Sequence, residues 1–138
     1  MSEPVSPLES VKWIDLPSVD DPRGTLTAAE SQIDVPFDIR RVFFMHHVTA
    51  ARGGHAHRDT DQVIVAVSGR FEVTLFDGVA SSHYELDSPK RGLYVPRMLL
   101  VDLEAFSPGA VCLVLASTHY DMSRSLRTRE DFLRAVAE

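Results

Sequence analysis

Short apolar segments separated by turn residues recur along most of this chain. The clearest is Phe71–Phe76, where apolar and polar side chains alternate as on a strand with one buried face. Asp77 and Gly78 follow it, a pair that suits a tight hairpin because both residues tolerate a positive φ. The pattern predicts an all-β sandwich or barrel of about ten strands. Further predicted strands cover residues 25–29, 41–48, 62–67, 82–86, 93–95, 98–103 and 110–116.

The C-terminal segment differs from the rest because its apolar residues have helical spacing. Thr128 is followed by acidic residues, which is typical of an N-cap and a first helical turn. Phe132, Leu133 and Val136 would then form one apolar face. We predict a short terminal helix over residues 128–137.

Size and charge restrict the classes of function. The 138 residues are 44% hydrophobic, so we expect a single domain over residues 1–138 with its core at about 11–121. Fourteen Lys and Arg against twenty Asp and Glu give a net charge of -6, which argues against nucleic acid or an anionic membrane as a partner. An anionic ligand would need locally placed arginines.

Redox chemistry and targeting are constrained by the cysteine count and by hydropathy. Cys112 is the only cysteine and lies in an apolar run, so we expect a buried free thiol and no disulfide within the chain. The N-terminal segment lacks the basic and apolar stretches of a signal peptide, and no run approaches the roughly 18 apolar residues of a membrane span. The expectation is a soluble cytoplasmic protein.

Two histidines separated by one residue are the feature most informative about chemistry. In the string Arg52-Gly-Gly-His-Ala-His57, His55 and His57 would project from the same face of an extended segment. On the inner wall of a small barrel, that arrangement would bring two imidazoles together. Such a pair can bind a metal or move protons.

The spacing around these histidines resembles the first motif of the cupin superfamily. Gln62 stands where metal-binding cupins normally carry a glutamate, and a neutral amide is a poorer ligand for a divalent cation than a carboxylate. Pro96 is not followed by the histidine that the second cupin motif carries. Two of the usual four ligands remain, whereas a metal site normally needs at least three from the protein. We therefore predict an enzyme without a functional metal.

A closer resemblance runs from Trp13 to Leu133, nearly the whole chain. The histidine string, followed by Gln62 and then Gly69, resembles the sugar 3,4-ketoisomerase family, which acts on dTDP-4-oxo-6-deoxyglucose. Weaker matches occur in the family's order: Asp21-x-Arg23-Gly24-x-Leu26, Val35-Pro36-Phe37, Gly92 to Pro96, Phe106-Ser107-Pro108, Tyr120-Asp121 and Asp131 to Leu133.

The resemblance implies a jelly-roll, RmlC-like cupin barrel, and an isomerase that uses neither metal nor organic cofactor. It also implies a homodimer whose N-terminal strands are exchanged between subunits. The chain departs from the family at Phe43 and Phe44, where tyrosines are usual, near Leu99 and Leu100, where a tryptophan is usual, and over residues 122–126. These departures concern contacts with the sugar ring and base more than the proton chemistry.

The implied reaction moves a carbonyl from C4 to C3 of the sugar through an enediol, and histidine suits it because its ordinary pKa is about 6.5. The resemblance assigns His55 as the base at C3 and His57 as the proton shuttle between the oxygens, although the residues alone leave the reverse open. Arg52, and after it Arg41, are candidates for the diphosphate, since a guanidinium offers forked donors. Gln62 would hold a sugar hydroxyl or orient a histidine.

Three alternatives stay open. A nucleotide-sugar 3,5-epimerase shares the barrel and the first proton abstraction, but it typically adds an aspartate and a tyrosine acid on the opposite face of the ring. A metal-dependent cupin would contain bound metal, which metal analysis of the purified protein would detect. A catalytically silent module that binds a sugar nucleotide would fail to turn over dTDP-4-oxo-6-deoxyglucose.

Overall fold

The fold consists of two antiparallel five-stranded sheets and one separate hairpin. The computed structural model describes residues 5–138. Its strands are β1 (Lys12–Asp15), β2 (Ser18–Asp21), β3 (Gly24–Thr27), β4 (Arg41–Met45), β5 (Arg52–His57), β6 (Gln62–Ser68), β7 (Phe71–Phe76), β8 (Ser81–Leu86), β9 (Arg91–Val95), β10 (Leu100–Glu104), β11 (Val111–Ala116) and β12 (Ser125–Leu126). One sheet has the order β1-β9-β6-β11-β4 and the other β12-β5-β10-β7-β8, while β2 pairs only with β3.

The core lies between the inner faces of the two large sheets. Ile64 and Leu93 from the first sheet pack with Val73, Leu75 and Leu103 from the second, and all five are buried. Full burial of a side chain of this size stabilises a fold by about 1.5–3 kcal/mol. The alternation that predicted Phe71–Phe76 is therefore the alternation of a sandwich strand, with one face inside and one outside.

The all-β class and the terminal helix predicted from the sequence are confirmed, but several strand limits were wrong. The segment 41–48 stops being a strand at Met45, and His47 beyond it has a φ of 54°. The segment 98–103 starts as a strand only at Leu100, because Met98 has a φ of 64°. Strands β1, β2 and β12 were not predicted, since two to four residues carry too little alternation to be read.

The C-terminal helix α1 (Arg129–Val136) begins as predicted, because the Thr128 Oγ1 accepts a hydrogen bond from the backbone N–H of Asp131 at 3.0 Å. Phe132 is fully buried, with its ring centroid 6.1 Å from that of Phe76. The predicted apolar face was partly wrong, since Leu133 and Val136 are 40% and 41% exposed. Ala135 is buried in their place.

Two smaller expectations concern the thiol and the membrane. Cys112 is fully buried on β11, and burial raises the pKa of its thiol to about 12. It therefore remains protonated and packs as an apolar side chain. Within residues 5–138, every helix is too short or too polar for a membrane crossing.

Candidate active site

Strand β5 carries the histidines, and a β-bulge shapes it. Against β10, His55 pairs with Val101 and Gly53 pairs with Asp102, which leaves Gly54 as an extra residue without a partner. Gly54 has a φ of 71°, a backbone conformation that glycine adopts without strain. The Gly-Gly pair of the sequence is therefore the signature of this bulge.

The bulge changes which side chains share a face. Arg52 and His55 are three residues apart, so on a regular strand they would point to opposite sides. The extra residue restores the alternation, and Arg52 pairs with the inward-facing Leu103 just as His55 pairs with the inward-facing Val101. Consequently Arg52, His55 and His57 all line one cavity.

This histidine cavity has a volume of about 170 Å³ and opens between the two sheets. Gln62 lies on the facing sheet, where it is 6% exposed. The rest of the wall is mostly apolar. The full lining is Phe43, Met45, Arg52, Gly53, His55, His57, Gln62, Ile64, Val101, Leu103 and Val114. Four of the five predicted site residues therefore come together here.

His57 is half-buried at the far end of β5, and its Nδ1 lies 3.5 Å from the Ser125 Oγ on the neighbouring β12. Burial lowers the pKa of its imidazole below the ordinary value of 6.5, and the charges of Arg41 and then His55 lower it further. At neutral pH the ring is consequently uncharged and able to accept a proton.

Arg41 is the fifth predicted residue, and it lies in an adjoining cavity rather than in the histidine cavity. Its guanidinium carbon is 5.0 Å from the centroid of Phe43 and 5.4 Å from that of Tyr120. Its Nε is buried and has no hydrogen-bond partner among residues 5–138. Burial lowers the pKa of this guanidinium, while Tyr120 acts in the opposite direction.

This second space, the arginine cavity, has a volume of about 320 Å³ and meets the histidine cavity at His57, which lines both. Its lining is Arg41, His57, Asp59, Thr60, Thr118, His119, Tyr120, Asp121, Arg124 and Ser125. Arg124 Nη2 donates to Asp59 Oδ1 at 2.9 Å, and the Thr60 and Thr118 hydroxyls are 2.6 Å apart. The lining residues of this cavity are therefore all polar or charged types, and most of them lie outside the strands.

Sequence reasoning missed several residues of the site. Tyr120 and Arg124 belong to the arginine cavity, and only the matching Tyr120-Asp121 pair hinted at that segment. Ser125 follows a short 3₁₀ turn and carries no motif. Asp102 was missed because its place opposite the bulge depends on the strand register, although the Gly-Gly pair could have indicated a bulge.

The donor groups fit a metal ion poorly. Among residues 5–138, no three His, Cys, Asp or Glu side chains converge closely enough to hold one. In the histidine cavity, Gln62 supplies an amide where a carboxylate would complete a ligand set with His55 and His57.

Two facing antiparallel sheets with two histidines on one inner wall are typical of the cupin class, and comparison with known proteins narrows that class. The family described as "FdtA: WxcM-like, C-terminal" matches residues 9–137. The chain belongs to this family, so the resemblance to sugar 3,4-ketoisomerases predicted from the histidine string is confirmed.

A curated relative and two solved structures are similar along nearly their whole length. The TDP-4-oxo-6-deoxy-alpha-D-glucose-3,4-oxoisomerase of Aneurinibacillus thermoaerophilus is 36% identical over 129 residues, which cover 92% of this chain and 93% of the relative. The sugar 3,4-ketoisomerase of Thermoanaerobacterium thermosaccharolyticum in complex with TDP is 32% identical, with a TM-score of 0.90 and coverage of 94% and 96%.

A variant of the Thermoanaerobacterium enzyme, with one histidine replaced by asparagine, was solved in complex with TDP-4-keto-6-deoxyglucose. It is 31% identical to this chain, with a TM-score of 0.88 and coverage of 91% and 93%. The likeness to these structures confirms the cupin jelly-roll fold expected from the sequence.

Proposed function

We propose that this protein is a sugar 3,4-ketoisomerase that converts dTDP-4-oxo-6-deoxyglucose into a dTDP-3-oxo-6-deoxyhexose. The observation that carries the proposal is the common wall of the histidine cavity, on which His55, His57 and Arg52 lie together. Two bases on one wall suit transfer of protons along one face of a sugar, and a guanidinium beside them suits an anionic substrate. The activity of the relatives supports this substrate.

The reaction proceeds by proton transfers alone. His55 removes the proton from C3, and the electron pair of that bond forms a C3–C4 double bond while negative charge develops on the C4 oxygen. His57 delivers a proton to that oxygen and accepts the proton of the C3 hydroxyl. The electron pair left on the C3 oxygen forms the new ketone, and the electron pair of the C3–C4 double bond takes up the proton that His55 delivers to C4.

The protonation state of His57 supports its role in moving a proton between the C3 and C4 oxygens of the sugar. Its lowered pKa leaves the ring neutral at pH 7, so one nitrogen carries a proton and the other accepts one. A neutral imidazole can therefore exchange protons with two neighbouring oxygens without a change of net charge. His55 lines the same cavity and is exposed at its opening.

Binding is divided between the two cavities. Arg52 holds the diphosphate from the wall of the histidine cavity, and Arg41 offers its guanidinium as a second donor group from the arginine cavity. Gln62 hydrogen-bonds a sugar hydroxyl from the opposite sheet. The apolar Phe43 and Met45 provide a wall that suits the methyl group of a 6-deoxy sugar.

The protein acts as a homodimer in which N-terminal strands are exchanged. Strand β4 is an edge strand, and Val42 and Phe44 on its outer face are 54% and 59% exposed. The separate hairpin β2–β3 exposes Val19 and Leu26 opposite each other.

Light scattering should report about twice 15.4 kDa, and a monomer at micromolar concentration would count against the dimer. The single-domain organisation and the cytoplasmic location stay predictions.

The decisive experiment is incubation with dTDP-4-oxo-6-deoxyglucose in deuterated water, followed by NMR of the sugar. We expect a 3-oxo product with solvent deuterium at C4. Deuterium at C3 and C5 without a 3-oxo sugar would indicate a 3,5-epimerase instead. Binding of the nucleotide sugar without either change would indicate a catalytically silent protein.

A further inference from the structure

Asp102 lies outside the histidine cavity, yet it contacts the segment that shapes it. On β10 it sits between Val101 and Leu103, which line the cavity, so its side chain points to the outer face of the sheet. There its Oδ1 accepts a hydrogen bond from the backbone N–H of Gly54 at 2.8 Å. Gly54 is the extra residue of the bulge and has no partner on β10, so Asp102 satisfies its N–H with a side chain instead.

The packing around Gly53 shows how closely Asp102 fits the bulge. A Cβ added at Gly53 would lie 2.8 Å from the Asp102 Cα and would collide with its carboxylate. The first glycine of the Gly-Gly pair therefore makes room for Asp102, and the second supplies the positive φ. Both glycines and the aspartate form one unit on the outer face.

We propose that Asp102 is a positioning residue, which holds the bulge of β5 so that Arg52 and His55 face the same cavity. Only the extra residue Gly54 places Arg52 on the side of the histidines, and the Asp102 carboxylate contacts that residue directly. Loss of the hydrogen bond frees the bulge to move along the strand, which turns Arg52 or His55 away from the cavity.

This inference rests on the proposed function for the roles of Arg52 and His55. It predicts a particular pattern of damage. Movement of Arg52 weakens binding of the diphosphate and raises KM, while movement of His55 lowers kcat. A displacement of about 1 Å at a reacting group can reduce a rate roughly a hundredfold. We therefore expect both constants to change, although Asp102 itself touches no substrate.

The test compares two substitutions of similar size. Asp102→Val removes the acceptor but keeps a side chain that favours a strand, whereas Asp102→Asn keeps an amide oxygen that can accept from Gly54. Asp102→Val should lower kcat by roughly tenfold to a hundredfold and raise KM, and Asp102→Asn should restore most of the activity. Glu104→Val is the matched control, because Glu104 is an exposed, outward-facing residue of the same strand and should behave like the parent.

Two kinetic results would overturn the inference: a folded Asp102→Val variant with parental kcat and KM, or an Asp102→Asn variant as impaired as Asp102→Val. Asp102→Ala serves as the acceptor-free variant if the valine protein does not fold. A crystal structure of the acceptor-free variant tests the inference without any activity. It should show Arg52 or His55 displaced from the cavity, and an unchanged strand would overturn it. An inactive parent would instead refute the proposed function.

Discussion

The histidine cavity and the arginine cavity share His57, but they are built from different kinds of structure. The first is lined by the inner faces of strands in both sheets, and its residues are held by ladder hydrogen bonds and core packing. The second is lined mainly by the connections 58–61 and 117–124, which are tied together by polar contacts. Rigid strands suit proton transfer, which tolerates little displacement, whereas loops suit recognition of the nucleotide.

The difference has a consequence for mutations. Changes in the histidine cavity should act mainly on kcat, and changes in the arginine cavity mainly on KM. Arg52 is the informative exception, since it belongs to the rigid wall but is assigned to the diphosphate. Variants of the two cavities should therefore separate chemistry from binding, and the largest effect is expected at the histidines.

The first prediction concerns both histidines together. The double variant His55→Asn with His57→Asn should lose at least about a hundredfold in kcat, because positioned acid-base groups contribute roughly that much or more. Affinity for dTDP should change little, since asparagine leaves the cavity wall polar. Steady-state kinetics and calorimetric titration with dTDP check the two halves of this prediction.

The matched control is His83→Asn. His83 lies on the outer face of β8, where its Nδ1 is 2.8 Å from the Thr74 Oγ1, and its loss should leave kcat unchanged. A correctly folded double variant that works at the parental rate would remove the histidine cavity from the mechanism.

Single histidine variants sharpen the assignment within that cavity. If His55 acts on carbon, His55→Asn should lose exchange of the C3 proton with deuterated water. His57→Asn should retain part of that exchange while failing to complete the isomerisation. NMR of the substrate during incubation measures both, and the opposite pattern would reverse the two roles.

The second prediction concerns Arg52. Arg52→Ala should raise KM by roughly tenfold or more, equivalent to about 1.4 kcal/mol of lost binding, and should change kcat less. The reason is that a guanidinium holds the diphosphate equally in the ground state and the transition state. Arg70→Ala is the control, because Arg70 is an exposed arginine in the turn before β7. A variant that loses kcat at unchanged KM would assign Arg52 to the enediolate instead.

The third prediction concerns the pH dependence of activity, which should depend on both cavities. Burial, the charge of Arg41 and the charge of His55 all lower the pKa of His57, so the imidazole should stay neutral at pH values somewhat below 6.5. As pH falls through that lowered pKa, His57 becomes protonated, can no longer accept a proton, and activity declines. Arg41→Ala removes one positive neighbour, so the pKa of His57 should rise and the acid limb of the rate profile should move to higher pH.

NMR titration of the His57 ring in the parent and in Arg41→Ala measures this shift directly. Arg124→Ala is the control from the same cavity, because the charge of Arg124 is paired with Asp59 and is not among the causes that lower the pKa of His57. Equal titration curves in the parent and in Arg41→Ala would show that the cavities are electrostatically independent.

The two cavities also differ in how far the sequence predicted them. Period-two alternation and the His-Ala-His string predicted the strand class and the facing imidazoles, because side-chain direction on a strand follows from local geometry. Gln62 was predicted from its spacing after the histidines. The same reasoning missed the bulge, so it gave no structural reason for Arg52 to share the wall with His55, which depends on the pairing of β5 with β10.

The arginine cavity was largely invisible in the sequence. Arg41 was named, but its neighbours Tyr120 and Arg124 approach it only after a loop folds back over the sheet. Contacts of this kind depend on the path of a connection, for which neither periodicity nor spacing provides a rule. The exposure of Leu133 and Val136 has a similar cause, because packing of α1 on its neighbours decides which helical face is buried.

The last prediction is that a metal chelator has no effect on turnover. The histidine cavity offers two imidazoles and the Gln62 amide, and no further acidic or histidine ligand converges there among the described residues. A divalent cation would consequently be held too weakly to survive dialysis against EDTA. The dialysed protein should keep its kcat, and metal analysis of the purified protein should give substoichiometric values.

As a control, Gln62→Glu supplies the carboxylate of metal-binding cupins and should bind added divalent metal more tightly than the parent. Loss of activity on dialysis, with recovery by one particular cation, would make the histidine cavity a metal site and contradict catalysis by the imidazoles alone.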